Sequence, residues 1–141
     1  MKNTALVVLS LFTFIACKPD SASGKEGGGG GHSHFTEIPS TAEGIWKEIA
    51  SQQKKLASVV EDNYLIEAHD HGYAIRDLVR ALPSKVSAED KAKTEAASVE
   101  IAKIAAAIDK SSAAAAQKTT AENVQKMTAA VEALRVQLKA K

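Results

Sequence analysis

Residues 41–83, TAEGIWKEIASQQKKLASVVEDNYLIEAHDHGYAIRDLVRALP, carry two apolar stripes of helical spacing with a break between them. Trp46, Ile49, Gln53, Leu56 and Val60 follow a 3,4 rhythm, which places them on one face of a helix. Leu65, Ala68, Gly72, Ile75, Val79 and Leu82 follow a second rhythm that Pro83 ends. The two are out of register, because continuing from Val60 lands on Asn63 and Glu67, both polar. Glu61-Asp62-Asn63 supplies turn and N-cap residue types at the break. The stretch predicts two antiparallel helices, at 41–61 and 63–82. One long helix is the alternative, since Tyr64, Ala68, His71, Ile75, Leu78 and Leu82 also continue the first stripe.

Working outward, Ser40 and Glu43 have the spacing of a capping box that would open the first helix. Beyond Pro83, Ser87 with Asp90 predicts the start of a third helix through Ala97, Ile101, Ile104 and Ile108. Asp109-Lys110-Ser111-Ser112 should loosen its end, and Ala113–Ala116 suits either helix or connection. Thr119 with Glu122 forms another expected capping box, ahead of the clean seam Val124, Met127, Val131, Leu134 and Leu138. Aromatics are only 4% of the chain and alanine is abundant, so closely approaching helices are favoured over a sheet. The expected class is all-α. Four helices joined by short connections favour an up-down-up-down bundle over residues 40–141. The long-first-helix alternative gives three helices. Charged residues such as Lys47, Lys54, Lys91, Glu122 and Lys126 fall off the stripes and read as a solvated face.

Residues 17–39 read as a linker with nothing to bury. The five glycines of Gly27–Gly31 make this tract a flexible tether, with a reach of roughly 25 Å for its twenty or so residues. Before it, Ala5–Ile15 is an uncharged run, apolar but for Ser10 and Thr13, after the single charge of Lys2, about the length of a signal-peptide core and too short to span a bilayer. The run ends in Phe14-Ile15-Ala16-Cys17, which resembles the lipobox of bacterial lipoproteins, with Phe14 where leucine is usual. That resemblance implies removal of residues 1–16, lipidation of Cys17 and a membrane anchor. Lys18 after the cysteine resembles the outer-membrane side of the enterobacterial sorting pattern, which implies an outer-membrane anchor facing the periplasm. Cys17 is the only cysteine, so a lipidated chain forms no disulfide and its fold rests on packing.

Function classes narrow by charge and by missing motifs. The net charge is +1, and losing residues 1–16 removes only Lys2, so no nucleic-acid partner is implied. The glycine run lacks a following Lys-Ser/Thr, so it is not a phosphate loop, and no catalytic constellation stands out. An enzyme is therefore not expected. The His/Gly-rich segment, the Trp-led helix, EDNYLIEAHDHGYAIRDLVRALP, AAIDK and TTAENVQKMTAAVEALRVQL together resemble a loose group of small exported, His-rich bacterial bundle proteins without an assigned activity. The resemblance supports a bundle and points toward metal. Four-helix cytochromes share that architecture, but Cys-x-x-Cys-His is absent, and Met127 sits on an apolar seam where core packing is the usual role. Haem is not expected.

All four histidines fall in two pairs of the same spacing, His32-Ser33-His34 and His69-Asp70-His71. In an extended chain residues i and i+2 project the same way, so His32 and His34 can face one ion. On a helix they diverge by about 200°, so His69 and His71 need partners from other elements, while Glu67 lies one turn before His71. The plain alternative is that His69 and His71 bond neighbours such as Glu67 or Tyr73. Imidazole with nearby carboxylate suits Zn, Cu or Ni. His34 lies seven residues before Thr41 and can extend roughly 23 Å. His71 lies eleven residues before Leu82, about 17 Å along a helix. The tether can therefore bring His32 and His34 to His69 or His71, with Glu67 or Asp70 nearby. Two readings follow: a weak metal buffer or scavenger, or an interaction module that docks on an envelope protein partner.

Overall fold

The computed structural model describes residues 38–139. Among them are four α-helices and no strand: α1 (Ala42–Glu61), α2 (Ala68–Ala81), α3 (Ala88–Ala113) and α4 (Gln117–Lys139). Short 3-10 turns at Leu65–Glu67 and Leu82–Ser84 lead into and out of α2. The all-helical class is as expected. The break in rhythm after Val60 is a real chain reversal, which excludes the single long helix.

That reversal has a specific geometry. The Tyr64 N–H donates to the Val59 carbonyl and the Asn63 N–H to the Val60 carbonyl, while Asn63 takes a left-handed φ of 62°. These are the two bonds of a Schellman cap, and asparagine is among the few side chains that enter this region cheaply. The second helix therefore starts later than expected, at Ala68 rather than 63, because Tyr64–Glu67 is spent on the cap and the 3-10 turn. The other end of this hairpin also differs from expectation. Thr41, not Ser40, is the N-cap, and its hydroxyl accepts from the Gly44 N–H at 3.1 Å. The residue three beyond Thr41 is glycine, so no side chain reaches back to close a box. A Cβ on Gly44 would stand 2.9 Å from Cβ of Pro39, which folds over the first turn.

The core is one cluster fed by all four helices. From α1 it takes Ile45, Ile49, Leu56 and Val60, so the seam centre lies at Ile45 and Gln52, with the expected Trp46 and Gln53 flanking it half-buried. The second stripe is as read: Leu65, Ala68, Gly72, Ile75, Val79 and Leu82 are all buried. From α3 come Ile101, Ile104, Ala105 and Ile108, and from α4 Val124, Met127, Val131 and Leu134, with Leu138 packed at the edge. Consecutive helices pack on one another, and α1 also touches α4.

Two expectations about α3 and α4 fail for one reason. Asp109–Ser112 does not loosen α3, which runs on to Ala113. The Ser111 hydroxyl donates to the Ile108 carbonyl and Ser112 to that of Asp109, so both stay in the helix with their polar groups satisfied. Thr119 and Glu122 lie inside α4 and cap nothing. The reversal instead uses three alanines, with Ala115 at φ 51°. Again two bonds close a Schellman cap, Ala116 N–H to the Ser111 carbonyl and Ala115 N–H to that of Ser112, each 2.9 Å.

Candidate functional site

The signal segment 1–16, Cys17, His32, His34 and nearly all of the tether 17–39 lie outside the described residues. His69, His71 and Glu67 lie within them, at the start of α2. The structure gives the two histidines different chemistry.

His71 reaches across to α1, where its Nδ1 sits 2.7 Å from Oε1 of Gln52. Gln52 is buried and its Nε2 donates to Glu48 Oε1 at 2.8 Å, one turn back along α1. These contacts fix one another. The Glu48 carboxylate only accepts, so the Gln52 amide nitrogen must face it. The amide oxygen then faces His71, and Nδ1 must carry the proton. In a neutral ring so protonated, Nε2 holds the lone pair. Gln52, Lys55, Asp70, His71 and Ala74 line a polar groove of about 370 Å³ between α1 and α2.

His69, two residues earlier, faces acceptors at both ring nitrogens. Its Nδ1 lies 2.6 Å from the Ile66 carbonyl, and its Nε2 lies 3.0 Å from Asp70 Oδ1. A neutral imidazole can donate to only one of them, and a metal at either nitrogen would displace one contact. Glu67 is exposed. The Tyr73 hydroxyl donates to Asp109 Oδ2 on α3 at 3.1 Å. Burial, and then the bond to and charge of Asp109, push the Tyr73 phenol up, while Arg76 over the ring pulls the other way.

Among the described residues no group of three or more His, Cys, Asp or Glu is placed to hold a metal. No helix among them is long and apolar enough to cross a membrane. Sequence reading missed Gln52 and Glu48. Their spacing of four was visible, but the stripe was read through Gln53, one residue off, which left the buried Gln52 outside it. It also missed a groove of about 530 Å³ between α1 and α4, floored by Ala57, Val60, Ala121 and Val124 and rimmed by Glu61, Gln117, Lys118 and Gln125. The Gln117 side chain closes one end by donating to the Val60 carbonyl at 3.3 Å.

The chain matches no family model, no curated protein and no solved structure.

Proposed function

We propose that this chain is a bacterial envelope lipoprotein, anchored by lipid on Cys17 at the outer membrane and facing the periplasm. Its helical domain binds a divalent transition ion, Zn, Cu or Ni, weakly as a buffer or scavenger. In this reading the four helices close an up-down-up-down bundle. The cross-helix bonds support that arrangement, because Gln52–His71 nests around the Asn63 turn as Asn123–Ala107 nests around the Ala115 turn.

The observation that carries the metal reading is the held His71 ring beside Asp70 in the α1–α2 groove. Orienting a histidine through its second nitrogen is the usual companion of metal ligation. His32 and His34 complete the set. Gln52 stands eleven residues beyond Thr41, about 17 Å along α1, and the stretch from His34 to Thr41 can extend at most roughly 23 Å. Ordering that stretch costs entropy, and the Lys55 ammonium at the groove opposes a cation, so the affinity is modest. It falls on acidification, because ligation needs neutral imidazole. Calorimetric titration of Zn and Cu into the full chain tests this: His32→Ala/His34→Ala and His71→Ala each weaken the same single site. Binding unchanged by loss of the tether pair, or no better than millimolar, ends the reading.

An interaction module is the second reading. The α1–α4 groove favours it, together with Tyr64 and Ile66, which stay exposed at the α1–α2 reversal.

A further inference from the structure

We infer that the α1–α4 face is an interface with a second copy of this chain, packed about a two-fold axis that runs along the groove. The inference does not depend on the metal reading. It takes the groove that the interaction reading invokes and names its occupant. Near the two reversals the groove is floored by Ala57, Val60, Ala121 and Val124, and the small side chains at Ala57 and Ala121 leave room for another helix surface. At the opposite ends of α1 and α4, Trp46 and Leu138 line a second hollow of about 430 Å³, where the start of α3 joins them.

The charges along the two rims select the occupant. The bond from Gln117 to Val60 fixes which levels of the antiparallel helices stand side by side. Glu61 of α1 and Lys118 of α4 share the upper groove, and Glu43 shares the lower one with Arg135 and Lys139. Between them, Lys47 lies thirteen residues from Val60 and Glu132 fifteen from Gln117, about 20 and 22 Å along their helices and so near one level. Lys54 comes level with the neutral Gln125. All of these side chains are exposed, and at each of the three levels charged on both rims the signs are opposite.

An axis parallel to the helices exchanges left and right but keeps each level, so α1 of one copy lies over α4 of the other. Glu61 then meets Lys118 of the second copy, Lys47 meets Glu132, and Glu43 meets Arg135, each pair formed twice. An axis across the helices would instead set α1 on α1 with its ends exchanged, Glu61 against Glu43 and Lys118 against Arg135, like on like. A self-complementary patch is what a two-fold contact requires, and this one is self-complementary about one axis only. The 20 residues of α1 give a face about 30 Å long and two helix diameters, about 20 Å, across, or roughly 600 Å² for each copy. That is below the roughly 800 Å² of a standard interface, so the dimer is weak and reversible.

Sedimentation equilibrium of the full chain, in a non-ionic detergent that keeps its apolar N-terminal run from associating, tests the inference. The unaltered chain shows a concentration-dependent dimer. Ala57→Arg fills the groove from an exposed position and leaves a monomer, with circular dichroism of the diluted chain unchanged. Glu61→Lys sets like charges against each other twice and weakens the dimer about 10-fold or more. Adding Lys118→Glu to that variant recovers most of the loss, which a merely local effect at Glu61 would not do. A dimer indifferent to Ala57→Arg overturns the inference, and so does a double swap no better than Glu61→Lys alone. A chain still monomeric at about 1 mM, where even a millimolar contact would show, also overturns it and leaves the interaction reading to a partner of another kind.

Discussion

The hairpin of α1 and α2 and the hairpin of α3 and α4 each carry polar side chains into the core, and they dispose of them differently. In the second hairpin the polar groups turn inward on the main chain. Thr120 Oγ1 lies 3.0 Å from both Ser111 Oγ and the Ala116 carbonyl, and Asn123 donates to the Ala107 carbonyl at 3.2 Å. Thr120 is fully buried, and Ser111 and Asn123 are nearly so. In the first hairpin Gln52 accepts from His71, which stands on the wall of an open groove. A closed polar cluster fixes how two helices meet. An open one can also do that, and here its imidazole lines a groove.

The apolar core should treat both hairpins alike, and the largest expected effects test that. Leu56 and Leu134 are each almost fully buried in the same cluster. Leu56→Ala and Leu134→Ala should each cost about 2–5 kcal/mol in denaturant unfolding. Both should shift one cooperative transition. A cost near zero at Leu134 would break the bundle assignment, and separate transitions would show two independent hairpins.

Smaller effects should set the two polar clusters apart. Thr120→Val keeps the shape and removes a hydroxyl from a dry site, at a cost of about 1–2 kcal/mol. Gln52→Leu removes an amide beside a groove that water can enter, and it adds apolar burial on the α1 seam. Its cost should stay below about 0.5 kcal/mol. If Gln52→Leu proves as costly as Thr120→Val, Gln52 serves stability first and the contrast between the hairpins collapses.

How much of this was legible in the sequence depended on whether a signal was periodic. The stripes of α2 and α4 were readable because Leu65 to Leu82 and Val124 to Leu134 repeat a spacing several times, and each repeat corrects the last. The α1 seam was read one residue off centre, since Trp46 outranks Ile45 by size but stands at the margin. Helix ends were harder. Ser40–Glu43 and Thr119–Glu122 match a pattern, yet Thr41 caps in one case and neither residue caps in the other. Ser111 and Ser112 look like breakers until a bond to a carbonyl one turn back satisfies each. The candidate site was half legible: a histidine draws the eye, whereas its partner nineteen residues away does not. That pairing exists only once the chain has reversed at Asn63.

The finest comparison concerns those reversals. Both close with the same pair of backbone bonds, and both put one residue at positive φ, Asn63 at 62° and Ala115 at 51°. The residues differ in what that conformation costs them. Asparagine enters the left-handed region readily, whereas the alanine Cβ crowds the following carbonyl, at about 1–2 kcal/mol. Ala115 is exposed, so replacing it loses no packing. Glycine removes the clash and returns part of the gain through the greater freedom of the unfolded chain, worth about 0.5–1 kcal/mol. Ala115→Gly should therefore stabilise by about 0.5–1 kcal/mol net, an upward shift of a few degrees in thermal unfolding. Asn63→Gly should move stability by less than about 0.5 kcal/mol, because asparagine already pays little there. Equal shifts at the two positions would mean that the turns are not equivalent caps occupied by residues of unequal fitness. A destabilising Ala115→Gly would mean that the connection between α3 and α4 does not hold Ala115 at positive φ.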